Sequence, residues 1–181
     1  MTMQAVTTAQ LEQVRKLAKD KKISLAEFQQ GLDNGTVARM LDTLRTWVAI
    51  QVSDTTKPAP PYEGWELVED STAPVGTIEL ELNEFLREGE EFVKGEVMRE
   101  RSKQLGFVLG ERHARALLKR QDRIPEAWRQ YYLVFPGTVW RDHDGFLGVP
   151  YLRWYGGQWD LGFRWIGGDF CRSGRVVAPR K

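Results

Sequence analysis

Apolar residues in the first fifty positions recur at the three-to-four-residue spacing of helices. Leu11, Val14, Leu17 and Ala18 form one stripe, and Leu25, Phe28 and Leu32 a second. Val37, Met40, Leu41, Leu44 and Val48 form a third. Thr7 with Gln10 and Ser24 with Glu27 read as capping boxes, Asn34-Gly35 breaks the second stripe, and Thr36 can cap the third. The pattern predicts a helical unit of three short helices over 1–52. Residues 53–64 then lose all apolar period and carry Pro58, Pro60 and Pro61, the composition of an extended, semi-rigid linker.

Beyond the linker the period changes. In 77–82 apolar residues alternate with acids, so Ile78, Leu80 and Leu82 face a core while Glu79 and Glu81 face water. Helices are predicted over about 95–105 and 111–121, the second burying Ala114, Leu117 and Leu118, with the Leu105-Gly106 and Leu109-Gly110 steps bracketing the corner between them. Pro125 and Glu126 suit the first turn of a short helix ending near Trp128. Strands follow over 131–135 and 138–141, separated by Pro136-Gly137. The clearest signal is a hairpin over 149–165 about Gly156-Gly157. Its two-residue loop pairs Trp154 with Trp159, Arg153 with Asp160 and Leu152 with Leu161. Leu152, Trp154, Trp159, Leu161, Phe163 and Trp165 thus share one apolar face, and Arg153 stands opposite a carboxylate. Pro150 cannot donate to a ladder and belongs at a bulge or an unpaired edge. The expected architecture is α+β: the N-terminal helical unit (1–52), the linker (53–64), an α+β domain (65–170) with helices packed on a Trp-rich antiparallel β-meander, and a basic tail (171–181).

Two stretches resemble known patterns. Residues 23–44 resemble the helix-turn-helix of bacterial repressors, with a capped helix, a turn and a following helix. Gln29 stands where that family has a small residue, Asp33 where it has the turn glycine, and Asp42 lies among the residues that would face DNA. The segments TIELEL, FLREGE, the paired Leu-Gly steps and YYLVFPGTVWRD resemble a pattern of bacterial proteins without an assigned activity, over roughly 77–170. That resemblance implies a bacterial, cytoplasmic origin and brings neither fold, activity nor cofactor.

Composition narrows the class. Of 181 residues 41% are hydrophobic and 28% charged, in the range of globular domains. The best apolar stretch, 47–52, contains Gln51 and is far too short to cross a membrane, and the start lacks a secretory leader's basic and apolar regions. Cys171 is the single cysteine, which excludes an internal disulfide and points to a reducing, cytoplasmic setting. Charge is segregated. Residues 63–100 hold twelve acids against three bases, a net −9, whereas 101–181 sum to +8 and the whole chain to +1. Either the basic part faces an anionic partner or the two segments neutralise each other in the fold, and the second reading is preferred.

Candidate chemistry is sparse. His113 and His143 are the only histidines, and Asp142-His143-Asp144 precedes a glycine in a turn, where local backbone bonding explains aspartates. Glu111 and His113 are two apart on a helix and do not form a chelating face. No nucleophile elbow and no phosphate-cradling glycine loop is present. The sequence therefore assigns no catalytic residue, no metal ligand and no cofactor. Its leading expectation is a non-catalytic protein-interaction module with an unidentified protein partner, whose contact surface is the polar hairpin face of Tyr151, Arg153, Tyr155 and Arg164. Nucleic-acid binding through Arg39 and Arg45 of the helical unit, or Arg172 and Arg175 of the basic end, is one alternative. A small hydrolase-type enzyme with a pocket at His113 is the other. Membrane insertion is not expected.

Overall fold

The computed structural model describes residues 47–53, 57–70, 75–106 and 108–180, together with positions 16, 30 and 33. The chain divides into two compact units, Met1–Arg45 and Thr46–Lys181. In the first, Lys16, Gln30 and Asp33 are helical and exposed. The three expected helices as wholes, the helix-turn-helix resemblance, and Arg39 and Arg45 lie outside the described residues.

In the second unit a period of two takes over immediately. Val48, Ile50 and Val52 are buried on one side of β1 (Trp47–Val52), so the helical stripe that reached Val48 ends before it. The three are β-branched, stiff at χ1 and at home on a pleated surface. After β1 come β2 (Glu66–Glu69), β3 (Gly76–Asn83), β4 (Phe92–Lys94), α1 (Gly95–Gln104) and α2 (Glu111–Leu118). Two 3-10 turns, Gln121–Arg123 and Glu126–Gln130, lead into β5 (Tyr132–Val134), β6 (Val139–Arg141), β7 (Leu147–Tyr155), β8 (Gln158–Trp165), β9 (Asp169–Cys171) and β10 (Gly174–Pro179).

Eight strands form one sheet in the order β1-β3-β10-β5-β7-β6-β2, with β8 paired to β7, while β4 and β9 make a separate ribbon. This overturns the expected α+β architecture of helices packed on a β-meander. The protein is mostly β, and its sheet recruits strands from both ends of the unit. The decisive element is β10, which runs parallel to β5 and antiparallel to β3, and so fills a central position. The stretch expected as a tail thus contains a core strand. Its short apolar run, 176–178, is flanked by arginines and gives little local signal of strand pairing.

The β7–β8 hairpin has the expected register, with Trp154 opposite Trp159 and Arg153 opposite Asp160. Gly156 and Gly157 both have positive φ, as a type I′ turn requires. Along the other edge of β7, β5 and β6 form one interrupted strand. Leu133 pairs with Leu152 and Trp140 with Gly148, so β5–β6 advances seven residues while β7 advances four. The surplus bulges out at 135–138, beside Pro150, whose carbonyl accepts the Phe135 N–H at 3.0 Å. Pro150 therefore sits at a bulge, where its missing donor breaks no ladder bond.

The sheet is covered on both faces. On one, α2 and the 3-10 turns bring Ala114, Leu117, Ile124 and Trp128 onto Ile50, Leu80, Leu133, Leu152 and Trp159. On the other, Met98 of α1 and Val93 and Phe170 of the β4–β9 ribbon cover Val134, Val139, Val149 and Val176. Gly137, in the bulge, donates to the Leu109 carbonyl at 2.9 Å, and a Cβ there would collide with the Val108 carbonyl oxygen. Only glycine lets the bulge reach the loop that starts α2.

Candidate functional site

The β7–β8 hairpin continues past the part that α2 covers. On the α2 face, Trp159 is buried, but Trp165 at the far end of the same strand face is 54% exposed, which corrects its expected place in the core. Gly148 stands opposite Trp165 and offers it no side chain to pack on. Instead the ring meets that of Phe146 edge to face at 5.4 Å, and Phe146 is itself half exposed. One step along β8, Phe163 meets Trp65 at 5.3 Å and Tyr62 at 6.4 Å. Tyr62, Trp65, Phe163, Trp165 and Phe146 thus form an aromatic strip beside β8.

The strand beneath the strip is an edge. Ile166 N–H bonds to the Leu147 carbonyl, and alternation along an antiparallel ladder then fixes which backbone groups face outward. The N–H groups of Trp159, Leu161, Phe163 and Trp165 point away from β7. That of Trp159 is taken by the Gln121 side chain at 3.2 Å. Over 161–165 the edge pairs with no strand among the described residues.

The polar hairpin face named from the sequence is only partly assembled. Arg153 and Tyr155 are exposed and lie together, the guanidinium 5.2 Å from the Tyr155 ring. Asp160, opposite Arg153 in register, accepts from Gln158 at 3.2 Å instead. Tyr151 is half-buried, its ring against Tyr132 and over Gly162. Arg164 donates to the Asp169 carbonyl at 2.6 Å and lies 5.1 Å from the Phe170 ring.

His113, the interior residue of the enzyme alternative, is completely buried. Its Nδ1 accepts the Gly110 N–H at 3.0 Å, the reciprocal bond of a capping box, which fixes the ring to the start of its own helix. Glu111 beside it is equally buried. One carboxylate oxygen accepts from Arg115 and the other from the Trp140 indole N–H at 2.6 Å, while the Glu111 N–H donates to Thr138 Oγ1. Thr138 in turn donates to Asp70, which pairs with Arg112. These polar groups lock α2 to β6 and β2. No reading of single motifs could find them, because Asp70, Glu111 and Thr138 meet only through the bulge at Gly137.

The segregated charges meet as well. Glu79 pairs with Arg180, Glu84 with Arg175, Glu90 with Arg101 and Glu66 with Arg141. Acids of 63–100 and bases of 101–181 thus meet pairwise at these four places. Arg175 is further held over the Tyr131 ring at 4.4 Å, and Arg172 lines a cleft of 410 Å³ together with Glu84 and Glu88. Asp142 accepts the Asp144 and Phe146 N–H groups, the local turn bonding expected of it. Cys171 is an exposed free thiol whose pKa is lowered, chiefly by its hydrogen bond with Ser173. Among the described residues no cluster of His, Cys, Asp and Glu is arranged to hold a metal ion, and no helix is long and apolar enough to cross a membrane. Comparison of the chain with protein-family models, curated proteins and solved structures finds no match.

Proposed function

We propose that the chain is a non-catalytic interaction module that takes up an extended segment of a partner protein along the edge of β8, in a reducing, cytoplasmic setting. The observation that carries the reading is the coincidence of a strand edge unpaired among the described residues with an aromatic strip of which Tyr62, Phe146 and Trp165 are exposed. Natural edge strands are usually blunted by proline, lysine, a bulge or a covering element, because an open row of N–H and C=O groups templates pairing with another chain. β8 is eight residues long, contains neither proline nor lysine, and has Phe163 and Trp165 beside its open stretch. Added strands draw affinity from main-chain bonds and specificity from pockets for alternate side chains. Aromatic rings supply such pockets at low entropic cost.

Peptides selected by display on the purified protein test the proposal. Extended, β-prone sequences are expected, and Leu161→Pro should abolish their binding. That substitution removes an outward N–H and no bond to β7, the situation Pro150 already occupies in the fold. Trp165→Ala should weaken binding by about tenfold or more, the loss typical of an aromatic anchor. Selected peptides that bind both variants as they bind the parent would overturn the reading, as would a selection that yields none. A dimer in sedimentation that Leu161→Pro dissolves would give the edge to a second copy of the chain instead.

A further inference from the structure

We infer that the segment taken up along β8 is basic, and that a lysine or arginine on it sits at the Trp165 end of the edge, over the aromatic strip and within reach of Glu63 and Asp144. This deepens the edge-binding proposal and rests on it. Strand geometry sets where the cation goes. Side chains of an added strand that stand opposite Phe163 and Trp165 share the face of the strip, about 5 Å from those two residues. The one opposite Trp165 lies nearest the turn before β7, because Phe146 packs on that indole. The indole itself lies against the Gly167 backbone, where a Cβ would stand 2.5 Å from Cζ2. Its position is set before any ligand arrives, and less ordering entropy is lost on binding.

Two independent features at that end select a cation. The first is uncovered aromatic surface. Elsewhere in the fold arginines lie over the rings of Tyr131, Trp154, Tyr155 and Phe170, at 4.1–5.2 Å from the ring centres. Among the described residues no cation lies over Tyr62, Trp65, Phe146, Phe163 or Trp165. Ring faces carry the negative lobe of a quadrupole and attract a cation, tryptophan most strongly. The second is carboxylate without a cation. A Cβ at Gly64 would stand 3.6 Å from the His143 Cβ, so the loop of Glu63 and the turn of Asp144 meet at this end of β8. Glu63 is exposed and makes no ion pair among the described residues, and Asp144 pairs there only with His143. The cations nearest in the chain are engaged elsewhere. Arg141 pairs with Glu66, and Arg164, on the opposite face of β8, donates to the Asp169 carbonyl. A partner lysine or arginine can keep its stem on the rings and its charge at the carboxylates. An acidic segment would meet the same carboxylates with like charge and be rejected.

The peptides that display selects on the full chain are the probe, titrated by fluorescence anisotropy. Those that lose binding to Leu161→Pro should carry a lysine or arginine at one fixed position, with an apolar residue two places away. Their affinity should fall as salt is raised. Glu63→Lys and Asp144→Lys, made together, should weaken them by about tenfold or more. The same double variant should bind versions with glutamate at the basic position more tightly than the parent does. Both carboxylates are exposed and neither joins two elements of the sheet, so the double variant should keep the parent's melting temperature. Trp165→Leu, which keeps an apolar side chain and loses the indole, should weaken the basic peptides more than their neutral glutamine versions. Edge-dependent peptides that lack a basic residue would overturn the inference and leave the edge proposal standing. So would basic peptides that bind the double variant as they bind the parent. A selection without any peptide sensitive to Leu161→Pro would overturn both.

Discussion

The carboxylate of Glu111 receives hydrogen bonds from two very different donors, and the difference sets what its loss would do. Arg115 is half exposed, so a guanidinium deprived of Glu111 rehydrates at little cost. Trp140 is 1% exposed, and its indole N–H would be stranded in the core. A buried donor left without an acceptor costs about 1–3 kcal/mol, and the lost packing of the side chain adds to this. Glu111→Ala should therefore destabilise the protein by about 2–4 kcal/mol in urea denaturation. Glu111→Gln, which retains an acceptor for the indole, should cost clearly less. The two-donor argument also predicts strong coupling: in the Glu111→Ala background, Trp140→Phe should cost much less than in the parent. Additive costs in that double-mutant cycle would refute it.

At the scale of elements, α1 is tied to the loop before β4 by a bidentate ion pair. Arg101 presents Nη1 and Nη2 to the two oxygens of Glu90 at 2.6 and 2.8 Å, and Nη1 also reaches the Phe85 carbonyl. Glu90 additionally accepts the Arg87 N–H. The Arg101 hydrogen bonds, followed by the Arg87 backbone bond, lower the Glu90 pKa from 4.5 to about 2. A depressed folded-state pKa means stability that is fully present above the unfolded value and lost as pH falls through the folded one. The contribution of this clasp should thus decline between about pH 4.5 and pH 2. Stability measured across that window should fall less steeply in Glu90→Gln than in the parent, and parallel curves would show that the clasp does not titrate there. Local and non-local elements differ in how far the sequence exposed them. The β7–β8 hairpin was legible to the residue, because a glycine pair and two flanking alternations fix a register between neighbours in the chain. α1 and the start of α2 were legible from helical spacing. β1 was not, because Val48 satisfies both the helical stripe behind it and the strand ahead of it. The β8 edge was invisible for another reason: whether a strand is an edge depends on what does not pair with it.

Across the whole molecule, the strand least visible in the sequence occupies the centre of the sheet. β10 joins β1–β3 to β5–β7, and the sheet has no other described connection between those two parts. Its Val176, Val177 and Ala178 are buried at 1%, 0% and 0%, with Val176 and Val177 facing opposite cores. Each valine stabilises the fold by about 1.5–3 kcal/mol through burial alone. Losing both, along with two hydrogen-bonded ladders, approaches the total of about 5–15 kcal/mol that holds a domain together. A chain ending at Ser173 should therefore lack cooperative thermal unfolding and the dispersed amide resonances of a packed sheet. Had 171–181 been a basic tail, as its composition suggested, the truncated chain would melt like the parent. Charge reversal of the flanking arginines separates composition from strand pairing. Arg175 and Arg180 form exposed pairs with Glu84 and Glu79, pairs worth about 0–1 kcal/mol each. Arg180→Glu should lower the melting temperature only slightly, whereas Val177→Asp should abolish folding by placing an unpaired charge against Leu80 and Leu133 in the α2-side core. A truncated chain that melts cooperatively near the parent's temperature would mean that the two halves of the sheet hold without β10.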